Sequence, residues 1–131
     1  TQLIKRFDIR APGPFVKVKT LSGGNQQKLV LARELDQKPR LIVANKPTRG
    51  LDIGAAAYIH QKLLEERERG VGILLISTEL EEILLLSDRI LVLYNGKSMG
   101  ELEAQTADIQ TIGLMMAGTP LEEIHSKEAC P

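Results

Sequence analysis

The chain has 131 residues, enough for one domain or part of a larger one, and its 43% apolar and 26% charged content is that of a globular protein, not a disordered one. Its 17 basic and 17 acidic side chains cancel, which argues against nucleic acid as a partner and leaves room only for a local patch. The single cysteine, Cys130, rules out an internal disulfide framework, no run approaches the ~20 apolar residues of a membrane span, and no secretory signal opens the chain, so a soluble cytosolic protein is expected.

A start at Thr1 without methionine suggests a fragment or a processed chain. With only four aromatics (Phe7, Phe15, Tyr58, Tyr94), the core must be built from Leu, Ile, Val and Ala. Thr1 to Phe7 reads as the tail of a helix, and Pro12, Gly13 and Pro14 make residues 8–20 a loop or extended connector. Ser22 is a suitable N-cap for a helix to about Asp36, closed by Pro39. Leu41-Ile42-Val43-Ala44 is apolar without alternation, which predicts a strand buried on both faces, as in a parallel sheet. Asp52 caps a helix over 53–69 in which Tyr58, Ile59, Leu63 and Leu64 recur at helical spacing, and Gly70 stops it.

A second buried strand is expected over Gly72–Ser77. Thr78-Glu79-Leu80-Glu81 has the pattern of a capping box for a helix to about Leu86. A third strand spans Arg89–Tyr94, and Asn95-Gly96 signals a tight hairpin into Lys97–Glu103. A helix over 107–117 ends at Gly118, with Leu114, Met115 and Met116 expected in the core in preference to a partner contact, and Thr119-Pro120-Leu121-Glu122 restarts a short one. Strand, helix, strand, helix, strand is an α/β pattern with a mostly parallel sheet.

The most informative segment is Leu21-Ser22-Gly23-Gly24-Asn25-Gln26-Gln27-Lys28. Adjacent glycines at a helix start let a ligand reach the backbone, and the free N–H groups and the dipole there favour a phosphate. The same residues also suit a plain Ser-capped helix. Their context is Leu29-Val30-Leu31-Ala32-Arg33-Glu34-Leu35, then an apolar strand, then Pro47-Thr48-Arg49-Gly50-Leu51-Asp52. That order resembles the ATP-binding cassette (ABC) ATPases from their LSGG signature through their D-loop. The resemblance continues through Leu74-Leu75-Ile76-Ser77-Thr78-Glu79-Leu80 and Ser87-Asp88-Arg89-Ile90, and so covers about residues 20–118. LSGGNQQK with PTRGLD is similar to importers of simple sugars and nucleosides whose ATPase carries two cassettes. Gly113-Leu114-Met115-Met116-Ala117-Gly118 is similar to the second cassette of the nucleoside-type members.

The resemblance implies a partial P-loop NTPase core: 1–36 would end the helical subdomain with the signature helix, 37–118 would belong to the catalytic core, and 119–131 would form a tail. It also implies a composite site, in which Ser22, Gly23 and Gly24 touch the terminal phosphate of an ATP held by a partner cassette. Asn25 and Gln26 would help orient the helix start. Asp52 matches the D-loop aspartate, though its capping role accounts for it equally well. ATP and Mg²⁺ would act in the assembled transporter, at the inner face of the membrane, with permease subunits as further partners.

The chain departs from the family pattern in ways that matter. It contains no GxxxxGK[ST] loop, which in the family precedes the signature, so neither a backbone nest nor a lysine holds a β-phosphate. Where the family carries aspartate and then glutamate after the strand, this chain has Asn45 and Lys46. An amide is a poorer Mg²⁺ ligand than a carboxylate, and a protonated lysine is no general base. Thr78 stands at the switch position, where the family carries histidine. These losses imply a degenerate half-site that is inactive alone and binds no tightly held cofactor. Neither His60 nor His125 has a ligand-spaced partner, so no metal site is expected.

In the family the phosphate-loop strand lies between the second and third strands of this chain. Its absence predicts an unpaired apolar edge, closed by self-association or by an inward shift of Arg89–Tyr94. Two other functions compete with transport: a non-catalytic regulatory or assembly cassette, and a DNA-repair-type cassette ATPase. The neutral charge balance and Pro47-Thr48-Arg49-Gly50 disfavour the second of these.

Overall fold

A computed structural model describes residues 2–128 of the chain, so Cys130 lies outside the described residues. The chain divides after Thr78 into two compact units of α/β character.

The first unit runs α1 (Gln2–Arg6), a loop with one 3-10 turn at Val18–Thr20, α2 (Gly23–Asp36), β1 (Leu41–Asn45), α3 (Ile53–Glu68) and β2 (Gly72–Ile76). Its core joins Phe7, Ile9, Ala32 and Leu35, with Leu3, Ile4, Leu29 and Ile42 packed against them. Ile59 and Leu63, one helical turn apart, are the buried apolar residues of α3. That helix stops where Gly70 adopts φ +82°, which lets Gly70 N–H donate to the Arg67 carbonyl and Val71 N–H to the Glu66 carbonyl, a Schellman closure.

Strands β1 and β2 pair in parallel, from Leu41 opposite Gly72 to Asn45 opposite Ile76. The expectation that both faces are buried does not hold. Leu41, Val43, Leu74 and Ile76 share one face and keep 63%, 60%, 54% and 44% of their surface exposed. Ala44 on the other face is buried, and Ile42, Ile73 and Leu75 are half-buried. The physical reason is that the described residues cover one side of a two-stranded sheet only, while an apolar run does not say how many sides are covered.

The second unit contains α4 (Leu80–Leu86), β3 (Arg89–Tyr94), β4 (Lys97–Glu103), α5 (Ile109–Met116) and α6 (Leu121–Glu128). Asn95 (φ +47°) and Gly96 (φ +75°) both take the left-handed conformation of the tightest hairpin turns, and β3 and β4 pair antiparallel across them. Strand β3 therefore alternates: Ile90 and Val92 enter a core with Met99, Ile112, Met115 and Ile124, while Leu91 and Leu93 stay exposed. Among the described residues Arg89–Tyr94 pairs with β4 across the local turn instead of making the expected inward shift, and β1 and β2 pair only with each other.

Three local expectations need correction. Glu79 occupies the N-cap of α4 without a side-chain capping bond, so the capping box read from Thr78 to Glu81 does not form. Helix α5 starts later than expected because the Asp108 carboxylate accepts from Thr111 N–H at 2.8 Å and sets the first turn there. Of the three residues assigned to the core at its end, Met115 is buried while Leu114 and Met116 are exposed.

Candidate functional site at the head of the signature helix

Ser22 caps α2 as the sequence predicts. Its backbone is extended (φ −60°, ψ 155°), its carbonyl accepts from Gln26 N–H at 2.9 Å, and its Oγ accepts from Asn25 N–H at 3.4 Å. Asn25 Nδ2 also donates to Ser22 Oγ at 2.9 Å, and Gln26 Nε2 donates to the Leu21 carbonyl at 2.8 Å. Helix geometry leaves the N–H groups of Gly23 and Gly24 without an intrahelical acceptor. Ser22 and Gly23 are exposed at this end.

The two glycines do different work. A Cβ on Gly23 would meet nothing within 4 Å, so this position is open to an incoming group. A Cβ on Gly24 would lie 2.9 Å from Ala55 Cβ, closer than two carbons can pack, so Gly24 lets α2 approach the first turn of α3. That turn is capped by Asp52, whose carboxylate accepts from Ala55 N–H at 2.8 Å. Gly24 and Ala55 thus bring the signature segment beside the turn that Asp52 caps.

Arg10, Asp8 and Lys28, to which the sequence reading gave no individual role, join Asn25 in holding this arrangement in place. Asn25 Oδ1 accepts from the Arg10 N–H at 2.8 Å, which ties the preceding loop to the helix head. Lys28 Nζ donates to the Asp8 carbonyl and to its carboxylate, both at 3.0 Å, and lies 4.3 Å from the centre of the Tyr58 ring. The Lys28 hydrogen bond and charge hold the Asp8 carboxyl below the usual carboxylate range. Burial pushes the Tyr58 phenol up, helped by the charges of Asp8 and Glu65. Lys28 was visible in the motif, but its partner is 20 residues upstream and no local rule points to it.

Asn45, Lys46 and Thr78 gather elsewhere in the same unit, at the C-terminal ends of β1 and β2, where parallel sheets present their ligand-binding groups. All three are exposed. Lys46 N–H donates to the Ile76 carbonyl at 2.7 Å, and its φ of +49° is a conformation that costs a side chain other than glycine energy. Among the described residues no group of three or more His, Cys, Asp or Glu could hold a metal ion. The head of α2 fits an anion such as a nucleotide phosphate, with a hydroxyl and free N–H groups at an open glycine. At the strand ends Asn45, Lys46 and Thr78 offer an amide, an amine and a hydroxyl, a set that lacks the carboxylate oxygens a hard cation such as Mg²⁺ prefers.

No protein-family model matches the chain. It is 46% identical over 121 residues to the guanosine import ATP-binding protein NupO of Bacillus subtilis (strain 168), covering 92% of this chain and 24% of that protein. It is 45% identical over 122 residues to the nucleoside import ATP-binding protein NupA of Lactococcus lactis subsp. cremoris, covering 93% and 24% respectively. Among solved structures, the ATP-binding cassette MJ0796, a dimer bound to ADP and Pi, superposes with a TM-score of 0.68 at 26% identity, over 79% of this chain and 44% of that one. The chain belongs to the ATP-binding cassette family. A metal-chelate type ABC transporter at 16% identity and a TM-score of 0.75, over 91% of this chain and 48% of that one, agrees in fold. The chain spans about a quarter of the length of the curated relatives it matches. Its α/β architecture with a parallel strand pair is that of the family.

Proposed function

We propose that this cassette segment works within the ATP-binding component of an importer of the sugar or nucleoside class, where it offers its signature helix to the ATP of a partner cassette. The observation that carries the reading is the exposed Ser22 hydroxyl at the head of α2, beside the open Gly23. Similarity to importers named for guanosine and nucleosides supports the solute class. On this reading Ser22, Gly23 and Gly24 meet the terminal phosphate, Asn25 and Gln26 orient the helix start, and Asp52 lies at the partner interface. ATP and Mg²⁺ belong to the assembled transporter, whose further partners are permease subunits at the cytoplasmic face of the membrane.

Asn45, Lys46 and Thr78 make this half-site degenerate, so the segment does not hydrolyse ATP alone. On the same reading, residues 1–36 close the helical subdomain, 37–118 contribute to the catalytic core and 119–131 form a tail. The test replaces the matched segment of the B. subtilis guanosine import ATP-binding protein with this chain. Ser22→Arg in that chimera is expected to abolish ATP hydrolysis, because a long cation fills the space meant for the phosphate. Turnover equal to the unsubstituted chimera would remove the trans-signature role and favour a regulatory cassette.

A further inference from the structure

A serine hydroxyl has one hydrogen to donate and two lone pairs to accept with, so its direction is set by its neighbours. At Ser22 the neighbours leave one solution. Asn25 Oδ1 accepts from the Arg10 backbone N–H at 2.8 Å, and a backbone N–H is a donor that cannot be reversed. The other end of the Asn25 amide, Nδ2, must therefore be the atom 2.9 Å from Ser22 Oγ, and it can only donate. Asn25 N–H supplies a second donor to the same oxygen at 3.4 Å. Both acceptor directions of Ser22 Oγ are then occupied by Asn25. In every hydrogen bond that Ser22 Oγ makes among the described residues it is the acceptor. Its own hydrogen is turned away from Asn25, on an exposed residue next to an open glycine.

We propose that Asn25 is a positioning residue that commits the Ser22 hydroxyl to donating outward, with Arg10 N–H as the anchor that fixes which way the Asn25 amide faces. The proposal rests on the trans-signature reading, since an outward donor matters only if an anion meets it. Its consequence is a dependence on the polarity of the side chain at position 25 rather than on its size. A carboxylate there still accepts from Arg10 N–H. It also offers Ser22 a second acceptor, and the hydroxyl turns inward to donate to it.

Asn25→Asp is nearly isosteric, and a negative charge in the first turn of a helix favours the folded state. In the chimera described above, kcat for ATP hydrolysis is expected to fall about a hundredfold with little change in KM, as for loss of a donor used in the transition state. The thermal midpoint of the 131-residue chain is expected to hold or rise. Asn25→Asp combined with Ser22→Ala is expected to be no slower than Ser22→Ala alone, because both changes act through one hydroxyl. Three results would each overturn the proposal while Ser22→Arg still abolishes turnover. These are an unchanged kcat for Asn25→Asp, multiplicative losses in the double variant, and a kcat loss accompanied by a lower thermal midpoint. If Ser22→Arg itself leaves turnover intact, the trans-signature reading fails first and the proposal with it.

Discussion

Gly23 and Gly24 look equivalent in the sequence and are not equivalent in the fold. Gly24→Ala drives a Cβ to 2.9 Å from Ala55 Cβ, so α2 and α3 must move apart or the first turn must distort. Overpacking of this kind costs about 1–3 kcal/mol, and urea denaturation of the chain is expected to show it as a lower midpoint. Gly23→Ala meets no atom and is expected to leave the midpoint unchanged or raise it slightly, since alanine is the better helix former. Equal losses at the two positions would contradict the division of labour. Lys28 shows the same contrast: it was legible as part of a motif, while its bond to Asp8 and its place over Tyr58 were not.

At the scale of elements, most starts and stops obey short-range chemistry. Ser22 and Asp52 each accept from the N–H three residues on, and Gly70 and the Asn95-Gly96 pair take the left-handed conformations their turns require. Where sequence reading missed the start of α5, a side-chain cap set it. Asp108 is that cap, and its carboxyl is held below the usual range mainly by its bonds to Thr111. A carboxyl depressed in the folded state adds stability above its unfolded pKa and loses it as pH falls through the folded value. Asp108→Ala is therefore expected to lower the thermal midpoint at pH 7, with the difference from wild type shrinking below about pH 4. Asp8, Glu65 and Glu101 are depressed by Lys28, Lys62 and Arg89 and share this sign, so the whole chain should lose stability in acid. A midpoint gap that persists undiminished at low pH would show that the cap works without its charge.

For the molecule as a whole, the exposed face of β1 and β2 is the feature that bears on self-association. Leu41, Val43, Leu74 and Ile76 form a contiguous apolar surface on a two-stranded sheet, an arrangement that recruits another surface to cover it. The isolated chain is expected to self-associate at tens of micromolar, roughly the range in which such exposed surfaces drive association. Sedimentation velocity would detect this, and Val43→Lys with Leu74→Glu is expected to restore the monomer. A monomeric wild-type chain at that concentration would sink the expectation. No helix among the described residues is long and apolar enough to cross a membrane.

The sequence by itself determined the order of elements, the hairpin turn, the caps at Ser22 and Asp52 and the family. Each of these depends on residues within a few positions of one another or on a motif read in line. Only the tertiary structure decided that Gly24 is a packing glycine, that the strands expose one apolar face, and that Arg10 N–H bonds to the Asn25 amide, which in turn bonds to Ser22. Those facts turn on contacts between residues far apart in the chain, such as the 15-residue separation of Arg10 and Asn25, and local pattern carries no information about which distant group arrives.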